Sequence, residues 1–306
     1  MRALITGATG LIGKHLVGML EDVVVLSRNP DEARRRLGKV EAHAWNPEGG
    51  PAPPEAIRCV EVVFNLAGEP VFEGRWTDEK KRRIRDSRVV GTRNLVSTIA
   101  ASESRPKVLV SASAVGYYGD RGDEELDETS TSGHDFLAEV CVDWEREAMV
   151  AEQLGVRVVC VRIGIVLAPG GGALATMLTP FRMGIGGRLG SGRQWMPWVH
   201  IKDLAGAMLH ASRNDAIRGP MNGVAPRPVT NADFTRALAN AVHRPALLPV
   251  PRIALRLALG EVSDILLASQ RVFPKVAEKS GYVFEHPELA GALDDVVTSM
   301  AQSSTA

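Results

Sequence analysis

The first twenty residues constrain this chain most. Arg2-Ala3-Leu4-Ile5 has the make-up of a short buried strand, Thr6-Gly7-Ala8-Thr9-Gly10-Leu11-Ile12-Gly13 follows at once, and Lys14-His15-Leu16-Val17-Gly18-Met19-Leu20 sets its apolar residues at helical spacing. Strand, glycine turn and helix in that order are compatible with few folds. Gly7 lets the chain leave the strand in a tight turn, Gly10 lets backbone approach a pyrophosphate, and Gly13 lets helix and sheet pack closely. Unpaired N–H groups at the helix start, aided by the helix dipole, favour an anion there. The turn, with Thr9, Leu11 and Ile12 between its glycines, therefore reads as a cradle for the phosphates of a dinucleotide; the alternative is a purely structural glycine turn.

The rest of the first half repeats the theme. Val23–Leu26, Val60–Leu66, Val108–Val110 and Arg157–Arg162 read as buried strands, with helical stretches such as Thr77–Ala100 between them. Strands alternating with helices predict an α/β protein with a doubly wound parallel sheet of Rossmann type. In such a sheet the end of the second strand meets the adenosine ribose. An acid there suits the 2′-hydroxyl and an arginine suits a 2′-phosphate. Ser27 and Arg28 stand at that point, with no acid, which predicts NADP(H) in preference to NAD(H). Leu66-Ala67-Gly68, at another strand end, opens onto the same crevice, and Arg162 completes the expected cofactor-binding set. The basic residues Lys80, Lys81, Arg82, Arg83 and Arg85 read as a binding patch or as one solvated helix face.

Past residue 168 the texture changes. Residues 170–200 are glycine-rich and carry Trp195 and Trp198, and 229–300 are mainly helical. The expected division is a Rossmann domain over 1–168, a smaller, mainly helical substrate lobe over 169–300 packed over the crevice, and a flexible tail over 301–306. Strands near 200 and 222 are expected to return to the Rossmann part. The glycines of 170–172 and 184–192 suggest backbone close to a ligand or a mobile lid.

Composition excludes several classes of partner. Lys+Arg and Asp+Glu are both 36, so the net charge is zero, with no electrostatic case for nucleic acid or an anionic membrane. No apolar run reaches the roughly 18 residues of a membrane span, and no signal peptide is visible. Cys59, Cys141 and Cys160 are odd in number and lack metal-ligand spacing, which fits reduced thiols in a cytoplasmic protein.

The blocks TGATGLIG (6–13), NLAGEP (65–70), SRVVGTRNLV (87–96), SASAVGYYG (111–119), GGGALATMLTPFRMGIGGRLGSGRQWMPWVHIKDL (170–204) and NGVAPRPVTNADF (222–234) together resemble an extended short-chain dehydrogenase/reductase. More narrowly, they resemble the atypical branch labelled "epimerase family protein" or cell-division-inhibitor-like, related to giant-chloroplast proteins. The resemblance implies catalysis by a Ser/Thr, a Tyr and a Lys, the last two in a YxxxK helix. It also implies a homodimer built on the 77–100 and 135–153 helices. Ser113 matches the serine. The helix that should carry YxxxK instead has Leu137 at the tyrosine position and Cys141 at the lysine. Nucleotide-sugar enzymes of this fold also carry a pyrophosphate-binding arginine where Met196 stands here, with Arg193 three residues away, which weighs against that chemistry.

Other groups must then carry any reaction. Tyr117, beside Tyr118, is a candidate proton donor together with Ser113. Arg182 and Arg193 are candidates for an anionic substrate group, and Trp195 and Trp198 for the walls of a pocket. His200 and Asp203, at i and i+3, suggest an orienting hydrogen bond beneath the site. One His and one Asp are too few for a metal, and none is expected. Two functional readings remain: an NADP(H)-dependent oxidoreductase acting on an unidentified small molecule, or a catalytically silent nucleotide sensor or partner-binding protein.

Overall fold

A computed structural model describes residues 1–246 and 248–303. In chain order the elements are β1 (Arg2–Thr6), α1 (Leu11–Gly18), β2 (Asp22–Ser27), α2 (Pro30–Leu37), β3 (Glu41–Ala44), β4 (Val62–Asn65), α3 (Asp78–Ala101), β5 (Val108–Ala114), β6 (Glu125–Leu126), α4 (Phe136–Met149), β7 (Arg157–Ile163) and β8 (Ile165–Leu167). There follow α5 (Gly172–Arg182), β9 (Trp195–Met196), β10 (Trp198–His200), α6 (Ile201–Arg213), β11 (Gly219–Gly223), β12 (Val229–Thr230), α7 (Asn231–Ala241), α8 (Arg252–Leu259), α9 (Val262–Leu267), β13 (Arg271–Val272), α10 (Lys275–Lys279) and α11 (Leu289–Ser303).

Seven strands form one parallel sheet in the order β11-β7-β5-β4-β1-β2-β3. The expected doubly wound sheet is thus present, with its order reversing between β1 and β4. Its strands are apolar at consecutive positions because both faces are covered. Ala3, Ile5, Val25, Phe64, Val110 and Val159 point to the face packed by α1 and α6, whereas Leu4, Val24, Val63, Leu109 and Val158 point to the face under α3 and α4. A third core, with Leu174, Phe181, Trp198, Phe234, Leu238 and Leu293, holds the C-terminal helices together.

The helices start where the sequence supplies acceptors. Asn29 caps α2 through Glu32 N–H, Thr77 caps α3 through Lys80 N–H, and Asp135 caps α4 through Ala138 N–H. The basic run at the start of α3 is a paired face: Lys80 meets Glu69 at 2.8 Å, Lys81 meets Glu261, and Arg85 meets Asp143.

The strand near 222, β11, joins the main sheet beside β7, and the strand near 200, β10, pairs with β8, which lies within 1–168, in a separate two-stranded sheet. Two expectations need revision. Residues 301–303 continue α11, while 304–306 of the expected tail lie outside the described residues. Apart from Gly184, the glycines of the second rich stretch pack on the protein itself: a Cβ on Gly186 would stand 2.5 Å from the Phe181 ring, and one on Gly187 would collide with the Leu248 carbonyl.

Candidate functional site

The site forms where the sheet order reverses, at the carboxyl ends of β1 and β4, the position at which open α/β sheets hold their ligands. Gly7 has φ +67°, and a Cβ there would lie 2.7 Å from the Leu66 carbonyl oxygen. A Cβ on Gly13 would lie 2.5 Å from the Gly7 carbonyl oxygen, so α1 can approach β1 this closely only with glycine. Gly10 is the N-cap of α1 and provides no side-chain acceptor, and no acidic residue stands in the first turn. The first-turn N–H groups are therefore left for another partner. A phosphate suits them in charge and geometry.

A buried polar chain fixes the turn to the rest of the crevice. Thr6 Oγ1 donates to Asn65 Oδ1 at 2.8 Å and accepts from the N–H groups of Leu66 and Ala67, both at 3.0 Å. Asn65 Nδ2 donates to Thr92 Oγ1, which also accepts from Trp144 Nε1. The end of β4, Leu66-Ala67-Gly68, is held against the glycine turn by these bonds. Gly68 in turn lies against the Arg88 guanidinium, where a Cβ would come within 3.1 Å.

Arg88 was not singled out from the sequence. Its guanidinium donates to the carbonyls of Glu69 and Ile84, each at 3.0 Å, lies over the Trp144 ring and forms no ion pair among the described residues. Burial lowers its pKa. A desolvated cation without a carboxylate at a ligand crevice suits an anionic or electron-rich ligand group. Its signal in the sequence was the break in the basic run of α3: Arg88 falls beyond the solvated arginines, next to buried Val89 and Gly91.

Two strands over, about 10 Å away at ordinary strand spacing, stands the second cluster. Ser113 in β5 is opposite Arg162 in β7. Ser113 Oγ donates to Glu145 Oε1 at 2.6 Å, and Glu145 receives Arg162 through Nε and Nη2, both at 2.9 Å. The Arg162 guanidinium lies 3.4 Å from the centre of the Tyr117 ring, and its Nη1 donates to Tyr118 Oη at 3.1 Å. Ser113, Tyr117 and Arg162 are thus brought together. Arg162, expected among the cofactor ligands, is instead buried and committed to Glu145, Tyr118 and the Glu128 carbonyl. Of the two tyrosines, Tyr118 is structural. It is fully buried, its hydroxyl reaches Asn222 Oδ1 at 2.7 Å, and burial pushes it up to about 12. Tyr117 is half-buried, and its hydroxyl takes no hydrogen-bond partner among the described residues.

On α4, Leu137 lies against Gly116, and Cys141 is buried at the position where the resemblance puts lysine. Burial, followed by the Glu145 charge, pushes the Cys141 thiol up to about 12, so no thiolate nucleophile exists there at neutral pH.

The remaining candidates are dispersed. Trp198 is a core residue, 1% exposed, with its indole N–H on the Arg227 carbonyl, so it walls no open pocket. Trp195 is half-buried, bonded to Asp123 and covered by Arg271. Arg182 and Arg193 are exposed. His200 does not bond Asp203; the Asp203 carboxylate accepts from the N–H groups of Glu285 and His286, and His200 faces Asp295. Among the described residues no helix is long and apolar enough to cross a membrane.

Comparison with known proteins gives a consistent picture. The chain is 41% identical to an epimerase family protein of Mycobacterium bovis over 297 residues, covering 96% of this chain and 97% of the other. It is 39% identical to epimerase family protein YfhF of Bacillus subtilis over 302 residues, covering 97% and 98%. Among solved structures it is similar to human epimerase family protein SDR39U1 with NADPH, at 34% identity, TM-score 0.87 and coverage of 97% and 99%. In fold alone it is similar to the Bacillus cereus UDP-glucuronic acid 4-epimerase in complex with UDP-glucuronic acid and NAD, at 16% identity, TM-score 0.80 and coverage of 99% and 100%.

The expected preference for NADP(H) over NAD(H) is corrected: several solved proteins of this fold hold NAD, although the human SDR39U1 structure holds NADPH. The local geometry agrees. The Ser27 hydroxyl is taken up by its own turn, accepting from Asn29 N–H and donating to the Asn29 carbonyl, each at 3.1 Å, and Arg28 is exposed. A model described only as a domain of unknown function matches residues 250–296. The model of the NAD dependent epimerase/dehydratase family matches residues 3–222, and with the full-length relatives above it establishes that this chain belongs to that family.

Proposed function

We propose that the chain is a nicotinamide-dinucleotide-dependent enzyme of the oxidoreductase/epimerase type, acting on a small molecule that bears a hydroxyl or carbonyl. The observation that carries this reading is the uncapped glycine turn at the sheet's reversal point, two strands from the Ser113–Glu145–Arg162 cluster. When bound, the dinucleotide supplies a hydride donor or acceptor. The first-turn N–H groups of α1 would hold its pyrophosphate; Gly10 keeps a side chain out of that space, and Gly7 and Gly13 let the turn pack closely on the end of β4 and on α1. Ser27, Arg28 and Leu66-Ala67-Gly68 line the adenosine side and the crevice floor.

The protic groups divide the remaining work. Ser113 has one proton and gives it to Glu145, so toward a substrate its oxygen accepts. It therefore orients a substrate hydroxyl. Glu145 cannot swing away, because Arg162 holds both of its oxygens. Tyr117, with an uncommitted phenol, exchanges the proton with the substrate oxygen. Residues 169–300 act as the substrate lobe, apart from β11, which completes the sheet.

The test combines binding and turnover. Calorimetric titration of the full chain with NAD(H) and NADP(H) is expected to give one site per chain. A carbonyl and alcohol screen should then reveal turnover that Ser113→Ala and Tyr117→Phe reduce, with dinucleotide affinity kept. Tight binding with no turnover on any substrate would favour a silent sensor, a reading supported by Leu137 and Cys141 in place of Tyr and Lys. No binding of either dinucleotide would overturn the proposal.

A further inference from the structure

At the start of α6, the chain assembles a group that sequence spacing conceals. His200 ends β10, His286 lies in the segment before α11, and Asp295 lies within α11; 86 positions separate the first two and 9 the last two. Their ligand atoms all come within 4.8 Å of one another. His200 is fully buried, and its Nε2 makes no hydrogen bond among the described residues although it stands 3.3 Å from Asp295 Oδ2. The His286 ring lies 3.9 Å from the His200 ring, centre to centre. A buried imidazole nitrogen without a partner, beside a carboxylate and a second imidazole, is costly unless something joins them.

We infer that His200, His286 and Asp295 form a binding site for a divalent transition cation of the zinc type, completed by water. Two imidazoles and one carboxylate are a zinc donor set; thiolate is absent, which disfavours softer ions, and the oxygen-only shells of calcium and magnesium do not match. Zinc bonds of about 2.0–2.2 Å put tetrahedral ligands about 3.3–3.6 Å apart, so the three side chains need close by only about 1 Å. His286 and Asp295 are half-buried, which leaves the fourth position open to water.

The surroundings support the assignment. The contact from Lys202 N–H to His200 Nδ1 is long, at 3.4 Å, and binds the ring's proton state weakly. Lys202 Nζ now holds Asp295 at 3.1 Å, but its side chain is 44% exposed and can turn to solvent when a dication arrives. The main chain at His286 is fixed, its backbone N–H donating to Asp203 Oδ2 at 2.9 Å. A cation here would bind α11 to the start of α6, fastening the last helix of the C-terminal lobe to the Rossmann sheet.

The test uses the full chain freed of metal by a chelator. Zinc titration by calorimetry should give one ion per chain and raise the melting temperature by about 3 °C or more at saturating metal. Cobalt substitution should give the visible absorption of a tetrahedral N/O site without a thiolate band. Asp295→Asn and His286→Gln, both at half-buried positions, should each weaken binding at least about tenfold. Lys202→Met removes the competing ammonium and should tighten binding, which keeps the test decisive if either ligand variant folds poorly. Absence of a one-to-one zinc site, a thiolate band pointing to exposed Cys59, or unchanged affinity in Lys202→Met and in the folded ligand variants would overturn the assignment.

Discussion

Two stretches of this chain are rich in glycine, and they use it in opposite ways. In residues 7–13, Gly7 and Gly13 let backbone pack on backbone, but Gly10 leaves a space: only the Gly7 carbonyl is within reach of an added Cβ there, and the helix start beside it is uncapped. Residues 184–192 spend theirs on filling one. There the missing side chains let backbone sit against the Phe181 ring, the Leu248 carbonyl and the Arg252 stem. Glycine is frequent in both, but in the proposed function a ligand fills the space at Gly10, whereas the protein's own atoms fill the second stretch. Glycine by itself therefore marks close approach. Only the strand before and the helix after show what approaches.

The largest expected effect lies in the second stretch. An added Cβ at Gly187 would sit 1.6 Å from the Leu248 backbone oxygen, which cannot move as a side chain can. Gly187→Ala should cost about 3 kcal/mol or more and lower the melting temperature by at least about 6 °C in differential scanning calorimetry. Dinucleotide affinity of the protein that remains folded should change little. A wild-type melting temperature in this variant would mean that the segment has another resting place. The mirror experiment is Gly10→Val. Its Cβ meets one carbonyl oxygen at 3.2 Å, so the fold survives, but its branches occupy the phosphate space. Affinity for NAD should fall about 100-fold, or roughly 3 kcal/mol, with a near-normal melting temperature. If affinity persists, the two glycine stretches are alike after all.

Between these lies Arg88, which belongs to the first region but was hidden in a basic run. Arg88→Met keeps the packing on Trp144 and Gly68 and removes the unpaired cation. A loss of about tenfold in kcat/KM or in dinucleotide affinity is expected, the size of one hydrogen bond to a charged group. Arg88→Lys should restore part of it. No change in either quantity would make Arg88 a packing residue and confine the site's chemistry to Ser113, Tyr117 and Glu145.

The same contrast explains how much was legible beforehand. The central strands could be read because they are apolar on both faces and each phosphate-turn glycine has a partner a fixed number of residues away. Ser113 could be read because the segment 111–119 that carries it matches the family resemblance. What failed was long-range pairing. Nothing near Arg162 in the chain announces Glu145, and the i, i+3 spacing of His200 and Asp203 drew attention from His286 and Asp295, which the fold delivers from far along the chain. Trp198 looked like a pocket wall because exposure cannot be judged without its neighbours Phe234, Leu238 and Leu293. Ser27 and Arg28 were read as ligands of a 2′-phosphate because the turn that occupies the serine hydroxyl is made two residues later, by the backbone of Asn29.

The smallest expected effect sits where the two halves touch. Gly171 and Gly172, at the start of α5, lie against the Leu11 side chain of the phosphate turn, with an added Cβ at Gly171 coming 3.2 Å from Leu11 Cδ1. Gly171 has φ 178°, an extended conformation open to any residue, so Gly171→Ala carries no backbone strain. Its only cost is a shift of the flexible Leu11 tip, a few tenths of an ångström. Stability should fall by less than about 1 kcal/mol, and NAD affinity by about threefold at most if Leu11 moves toward the phosphates. Leu11→Ala should cancel that loss when combined with Gly171→Ala, giving a coupling of about 0.5 kcal/mol in a double-mutant cycle. Additive effects would show that the C-terminal lobe rests on the phosphate turn without influencing it. Coupling would mean that whatever seats α5, a substrate in the lobe included, is felt at the helix start that holds the dinucleotide.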